Sequence, residues 1–235
     1  MRSVLLFTFV LFAFVSCKKD PVLEEDPDLG YAYFPVAVGK YIVYDVDSTA
    51  YRALEADTVR AVFRIKEQID SVFTDNQGRT TYKLVRYKKN YSPTTPYDSI
   101  DWSLQDVWAI NITNTTAEVV EENVRFIKLT FPVVLNNTWN GNAQNTIEPW
   151  DYKYANVDEV ETLNAVNYAE ALTVTQKNYS TALGRQFYQE KYAKNVGMIY
   201  KEISDYSFKV INGVLQPGKI EQGIIYKMTI VNYHL

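Results

Sequence analysis

The chain has 235 residues, 47% of them hydrophobic, and a formal net charge of −4, so it can form an apolar core. It contains one Cys and one His, and that His, His234, stands next to the C-terminal residue. These counts exclude a zinc site built from four Cys or His ligands and leave nucleophilic catalysis without its usual base. The mildly acidic balance argues against nucleic acid as a partner.

Residues 1–16 are typical of a lipoprotein signal peptide. Arg2 precedes an apolar run from Val4 to Val15, which at 1.5 Å per residue is too short to cross a bilayer of roughly 30 Å. Ser16 followed by Cys17 resembles the lipobox that the lipoprotein signal peptidase cleaves. A lone Cys in an exported chain has no disulfide partner, whereas lipidation gives it a use.

We therefore predict cleavage before Cys17 and lipidation of that residue, for example by palmitate. Anchoring by acyl chains places the protein in the cell envelope. We favour the outer membrane, on either its periplasmic face or the cell surface. Residues 17–30 then form a lipidated Cys with a flexible acidic tether, rich in Asp, Glu and Pro. The remainder, 31–235, contains no linker and is predicted to be one domain.

Hydrophobic alternation predicts β-strands rather than helices from Tyr31 onward. Residues 40–48 place Ile42, Tyr44 and Val46 on one face, and residues 58–66 alternate in the same way. Residues 72–87 predict a hairpin that turns through Asp75 to Gly78. Further strands are predicted at 100–104, 107–113, 118–122, 124–131, 151–161, 169–178, 186–193, 197–203, 206–211 and 223–233.

The fold class that follows is all-β and mainly antiparallel. We expect a strongly curved sheet or half-barrel with at most one or two short helices, one of them around 159–168. A β-sandwich is the alternative. Clusters of Pro, Gly and Asn predict loops at 92–98, 136–150 and 212–222.

The sequence predicts no catalytic residue, no cofactor and no metal. It contains no glycine-rich phosphate loop, dinucleotide fingerprint or EF-hand spacing. The carboxylates remain, in the sets Asp45/Asp47, Asp98/Asp101 and Glu118/Glu121/Glu122. A glycoside hydrolase needs two carboxyls about 5–9.5 Å apart, and the sequence does not show which carboxyls meet in space.

Two tryptophans are the candidates for ligand binding. Trp139 and Trp150 flank a long polar loop, and loops carry much of the binding chemistry of β-proteins. The alternative is that these rings, like most Tyr and Trp side chains, fill the core and its rim.

Four Asp-Ser or Asp-Thr tripeptides resemble the O-glycosylation sequon of exported Bacteroidetes-type proteins. They predict modification at Ser48, Thr58, Ser71 and Ser99. The same pairs are also common in turns and at strand ends, so a structural role is the alternative.

Two segments resemble small, mostly uncharacterised Bacteroidetes-type envelope lipoproteins. Residues 33–44, YFPVAVGKYIVY, are similar to the opening Y-F-P-x-x-x-G-x-x-W-x-Y, with Tyr41 in place of Trp. Residues 190–200, EKYAKNVGMIY, are similar to a W-Y-A-K-G-V-G-x-V strand-turn-strand, with Asn195 in place of Gly. The resemblance implies a strongly curved antiparallel sheet, and by analogy a shape like that of the lipoprotein-sorting carriers.

The function predicted from these observations is that of a non-catalytic envelope lipoprotein, a binding or structural module displayed on a membrane. Its expected partners are the membrane, through the lipid, and an unknown protein, glycan or apolar ligand. One alternative is a carrier that holds a hydrophobic ligand, such as an acyl chain, in a concave sheet. A second alternative is a carboxylate-based enzyme that processes glycans.

Overall fold

The computed structural model describes residues 27–53 and 57–235. This part of the chain forms twelve β-strands and two single-turn 3-10 helices, Tyr31–Tyr33 and Tyr97–Ser99. The strands are β1 (Tyr41–Arg52), β2 (Asp57–Thr74), β3 (Thr80–Asn90), β4 (Ser103–Ile112), β5 (Thr116–Glu121), β6 (Val124–Thr130), β7 (Thr138–Asn140), β8 (Asp151–Leu163), β9 (Val166–Thr181), β10 (Gly184–Ala193), β11 (Gly197–Ile211) and β12 (Val214–His234).

All twelve strands belong to one antiparallel sheet. Its order is β6-β5-β4-β3-β2-β1-β12-β11-β10-β9-β8-β7. Strands that pair are consecutive in sequence except for β1 and β12, and the consecutive strands β6 and β7 lie at the two edges. The first strand and the last therefore meet at the centre of the sheet. The expectation of a strongly curved antiparallel sheet is confirmed, and the described residues do not divide into the two packed sheets of a sandwich.

The two edge strands, β6 and β7, come together and nearly close the sheet. The amide of Ile127 on β6 donates to the carbonyl of Gly141, just after β7, at 2.9 Å. The indole Nε1 of Trp139 on β7 donates to the carbonyl of Ile127 at 2.9 Å. Register shifts in most of the strand pairs, such as those at Val43/Tyr44 and Lys191/Tyr192, supply the bends that this curvature needs.

The predicted hairpin at 72–87 is confirmed, since β2 and β3 pair across the Asp75–Arg79 turn. The short helix expected around 159–168 is wrong. Residues 151–181 form the β8–β9 hairpin, whose turn places Asn164 and Ala165 in left-handed conformations. The apolar alternation of 159–168 has too few residues to distinguish one helical turn from two strand ends.

Four other regions differ from the prediction. Strands expected separately at 197–203 and 206–211 form the single strand β11, and those expected at 100–104 and 107–113 merge into β4. Within the expected loops, 136–150 contains the short strand β7, and most of 212–222 belongs to β12. In each case, pairing with a neighbouring strand extends the structure beyond what local composition indicates.

The core fills the concave face of the sheet. At its centre pack Tyr44 and Val46 of β1 with Ile199 of β11 and Met228 of β12. A second group of buried side chains, toward β6 and β8, includes Leu129, Tyr154 and Leu172. No helix in the described part of the chain is long and apolar enough to span a bilayer.

Residues 31–39, here called the N-terminal segment, run across one end of the concave face. Tyr33 is buried there, and the Phe34 ring lies 5.9 Å from the ring of Tyr192 on β10. The amide of Asn195, in the turn between β10 and β11, donates to the carbonyl of Ala32 at 2.7 Å. The N-terminal segment and this turn together close one end of the sheet.

Candidate ligand-binding cavity

A cavity of about 150 Å³ lies within the concave face, beneath the N-terminal segment. One wall of it is apolar and comes from that segment and from β2 to β5. The side chains of this wall are Phe34, Val36, Ile69, Leu84, Trp108, Ile110 and Val119.

The rest of the lining carries a network of ion pairs. The ammonium of Lys128 on β6 lies 2.7 Å from the carboxylate of Glu121 and 3.1 Å from that of Glu190. Lys201 on β11 lies 3.2 Å from Glu190, its direct cross-strand neighbour. Glu190 is fully buried and also accepts a hydrogen bond of 2.6 Å from the Tyr192 hydroxyl.

These contacts keep the network ionised. Burial favours the neutral form of Glu190, but the attraction of Lys128 and Lys201 outweighs it and holds the Glu190 pKa far below its usual range. Burial and Lys128 act in the same opposed way on Glu121, whose pKa is also lowered. Burial works against the Lys128 ammonium, yet the two carboxylates raise its pKa.

A second ion-pair group also contributes to the lining of the cavity. Arg86 on β3 contacts Glu67 and Asp106, its neighbours on the two adjoining strands, at 3.0 Å each. The guanidinium also lies 3.8 Å from the centre of the Trp108 ring. This stacking joins the charged wall to the apolar one.

Lys40, immediately before β1, also lines the cavity but differs from the other cations there in its partners. Its side chain points to the same face as Ile42 and is only 6% exposed. Its ammonium donates to the carbonyl of Asn195 at 3.2 Å. No carboxylate of residues 27–53 or 57–235 forms an ion pair with it.

A second cavity, of about 240 Å³, adjoins the first and shares Glu121, Lys128 and Lys201 with it. Its remaining wall is mostly aromatic and includes Trp150 and Tyr188, whose rings lie 4.9 Å apart. The ion-pair network therefore separates two small compartments inside one sheet.

The structure places the two candidate tryptophans differently. Trp150 lines the second cavity, and Lys177 lies over its ring at 5.0 Å. Trp139 lines neither cavity; its ring packs 4.5 Å from that of Tyr154, and its Nε1 bonds to the β6 backbone. Trp139 thus joins the edges of the sheet, whereas Trp150 has access to a cavity.

The four predicted O-glycosylation sites lie at different depths. Thr58 and Ser99 are exposed, whereas Ser48 and Ser71 are half-buried. Ser48 stands well inside β1, where a strand end was expected, and the Ser71 hydroxyl donates to Asp70 at 3.1 Å. Modification stays a prediction for all four. Cys17, the signal peptide and tether residues 17–26 lie outside the described residues.

Most carboxylates of the sets read from the sequence are engaged by basic or indole side chains. Asp45 and Asp47 each form an ion pair with an Arg of β2, at 2.6 Å. Glu118 pairs with Arg125, and Glu122 accepts a hydrogen bond from the Trp108 indole. Of these residues, only Glu121 lines a cavity.

Sequence reasoning missed the charged lining of the cavity. Lys40, Glu67, Arg86, Lys128 and Glu190 were not recognised as inward-facing residues. A signal was present at Glu67, which continues the alternation of Ile65 and Ile69 on β2 but carries a charge. A charge at an apolar position of a period-two pattern indicates a buried ion pair or a site.

No family model and no curated protein matches the chain. Solved structures are similar to it, among them the following two. One is a Bacteroides fragilis protein, assigned to the exported proteins and having a YmcC-like fold. It is 9% identical with a TM-score of 0.45, over 86% of this chain and 99% of that one.

The other solved structure is a protein of Parabacteroides distasonis that is assigned to the lipoproteins. It is 12% identical with a TM-score of 0.37, over 89% of this chain and 100% of that one. At these TM-scores, neither likeness bears on the function of this chain.

Proposed function

We propose that the chain is a non-catalytic, lipid-anchored protein of the cell envelope that binds a small amphipathic molecule inside its curved sheet. The observation that carries the proposal is the 150 Å³ cavity, whose lining combines apolar side chains with fixed ion pairs. Sites for small molecules combine apolar surface with a few oriented polar groups in this way.

The volume of the cavity limits the ligand. An apolar cavity of about 150 Å³ accommodates a molecule the size of benzene, so the occupant has about six non-hydrogen atoms. A long acyl chain needs more space than this cavity offers. The proposal therefore favours a short ligand over the long acyl chain of a lipid carrier.

The state of the cavity carboxylates supports a role in binding rather than catalysis. Glycoside hydrolysis needs one carboxyl that is protonated near neutral pH and one that is ionised. Glu121 and Glu190 share Lys128, and both have a lowered pKa. This pair provides two anions and no acid.

The anchor is proposed from the sequence of residues 1–17, in which an apolar run ends at Ser16 and Cys17. It is tested by expressing the full chain in a bacterium that matures lipoproteins and measuring the intact mass. We expect a chain that begins at an acylated Cys17. A Cys17→Ser variant that is processed and membrane-bound like the native chain would contradict the anchor.

Ligand binding is tested by calorimetric titration of the full chain with pentan-1-ol, a neutral amphipathic probe of suitable size. Val119→Phe replaces a small side chain of the cavity wall by a bulky ring and should weaken binding about tenfold or more. Val214→Phe is the matched control, because Val214 is 61% exposed and lies outside the cavity. Equal affinity in both variants, or no binding by the native chain, would overturn the proposed site.

A further inference from the structure

Lys40 occupies an unusual position for a lysine. It is 6% exposed and lies where the N-terminal segment passes into β1, on the face that looks into the cavity. The backbone around it is held in place, because its carbonyl accepts from the Ile69 amide at 2.9 Å and its amide donates to Ala37 at 3.1 Å. These two hydrogen bonds fix the backbone from which the Lys40 side chain extends to the cavity.

The hydrogen bonds of the structure use only one of the three N–H donors of this ammonium. A lysine has three N–H donors, and the hydrogen bond to the Asn195 carbonyl uses one of them. The other cavity cations, Arg86, Lys128 and Lys201, each contact at least one carboxylate within 3.2 Å. Among the described residues, Lys40 has no such partner.

Keeping Lys40 charged costs free energy of folding. Burial lowers the pKa of its ammonium to about 8, so the group is still mainly protonated at neutral pH although its surroundings oppose the charge. A buried charge without a counter-ion is among the more destabilising features that a protein can contain. An anion bound beside it would offset that cost.

We infer that Lys40 anchors the anionic group of the ligand and that the cavity takes a short-chain or aromatic monocarboxylate. This inference rests on the proposed function, which it makes specific. The carboxylate accepts the free N–H groups of Lys40, and the apolar part lies against Phe34, Val36 and Trp108, which line the same cavity.

The chemistry of the cavity selects a carboxylate over a phosphate. A phosphate is bound best by several donors or by a guanidinium fork, and the one available cation here is a single ammonium. Arg86 is already held by Glu67 and Asp106. A dianion would also face the negative charges of Glu67, Glu121 and Glu190 with only one new counter-charge.

The experiment compares pentanoate, pentan-1-ol and pentylamine as probes of the full chain by calorimetric titration. For the native chain we expect pentanoate to bind at least about tenfold more tightly than pentan-1-ol, and pentylamine most weakly, because only the carboxylate forms an ion pair with the Lys40 ammonium. Lys40→Met keeps the length of the side chain and removes the charge. It should weaken pentanoate about tenfold or more and change pentan-1-ol much less.

Lys219→Met is the matched control, because Lys219 is exposed and distant from the cavity lining. Pentan-1-ol binding as tightly as pentanoate, or Lys40→Met binding pentanoate like the native chain, would overturn the role of Lys40 while the proposed cavity stands. Absence of binding by every probe would overturn both. If Lys40→Met does not fold, the order of the three probes on the native chain decides the question.

Discussion

At the scale of single residues, the main feature is a set of charges inside an apolar sheet. Glu190 and Lys128 are buried and contact one another, and each has a further ionic partner. Such a network is weak evidence of stability, since desolvation opposes the ionic attraction. Its geometry does hold charged groups at set positions beside the cavity.

Removing the central cation should be severely destabilising. Lys128→Met leaves the carboxylates of Glu121 and Glu190 with fewer cations, and we expect a loss of about 3–5 kcal/mol in the free energy of unfolding. The measurement is denaturant-induced unfolding at neutral pH, with exposed Lys219→Met as the control. A loss below about 1 kcal/mol would show that water already reaches these carboxylates.

The same network predicts how the free energy of unfolding changes with pH on the acid side. The pKa values of Glu121 and Glu190 are lowered in the folded chain relative to 4.5, so their contribution to stability is complete above that pH. It is lost as the pH falls toward the folded-state values. Glu190→Gln should reduce the slope of unfolding free energy against pH on the acid side.

Unfolding in urea across a series of acidic buffers measures this slope. Glu159→Gln is the control, because Glu159 is exposed on β8. A native slope that Glu190→Gln leaves unchanged would mean that other carboxylates control unfolding in acid.

At the scale of elements, side-chain contacts at and just before its start hold the N-terminal segment to the sheet. Lys194 contacts Asp28, Asp158 and Glu170 at 2.8–3.1 Å, which ties the start of the described chain to β8 and β9. The hydroxyl of Tyr33 donates to Asp158 at 2.6 Å. The cover of the cavity is therefore attached by side chains, whereas the sheet is held by backbone pairing.

Gly30 precedes this segment and Gly39 is its last residue, and the two provide a matched pair of substitutions. Both have positive φ, of +84° and +93°, so alanine at either position adds backbone strain. Only at Gly30 would the new Cβ also press on Val133, at 2.5–2.7 Å, whereas Gly39 has open space around it. We expect Gly30→Ala to cost about 1–3 kcal/mol more than Gly39→Ala.

Thermal or urea unfolding of the two variants tests this difference. Equal losses would show that Val133 moves aside without cost. The segment would then be more loosely seated than its packing indicates.

At the scale of the whole molecule, the sheet closes through a few hydrogen bonds between its edges. Besides the Trp139 and Gly141 contacts, the Tyr154 hydroxyl accepts from the Thr130 amide at 2.8 Å. The Asn145 side chain donates to the Arg125 carbonyl at 2.8 Å. These bonds cover an edge strand that would otherwise be free to pair with another chain.

Trp139→Phe should loosen this closure without unfolding the sheet. It removes the Nε1 donor to Ile127, so the nearby Ile127 amide should exchange its hydrogen several times faster, at an overall cost of about 1 kcal/mol. Hydrogen exchange measured residue by residue tests this, with the Ile69 amide near β1 as the internal reference. Equal acceleration at both amides would indicate global destabilisation instead.

Local pattern was sufficient where one strand face is apolar and a turn follows. The β2–β3 hairpin was predicted because Asp75 and Gly78 provide a turn between two alternating runs. The region 159–168 was misread because a tight turn at Asn164 and Ala165 leaves a mixed pattern that short-range periodicity does not resolve. For the site, the charged lining was not predicted, and ligand binding by Trp150, which lines the second cavity, stays a prediction.

The sequence by itself determined the strand-rich character, the antiparallel hairpins and the expectation of a lipidated N-terminus, because each follows from a pattern within a few neighbouring residues. Only the tertiary structure decided that β1 pairs with β12 and that β6 meets β7. It also decided that Lys40, Glu121, Lys128 and Glu190 surround one cavity. These groups lie up to 150 positions apart in the chain, from 40 to 190, and their meeting depends on register and curvature, which no local pattern encodes.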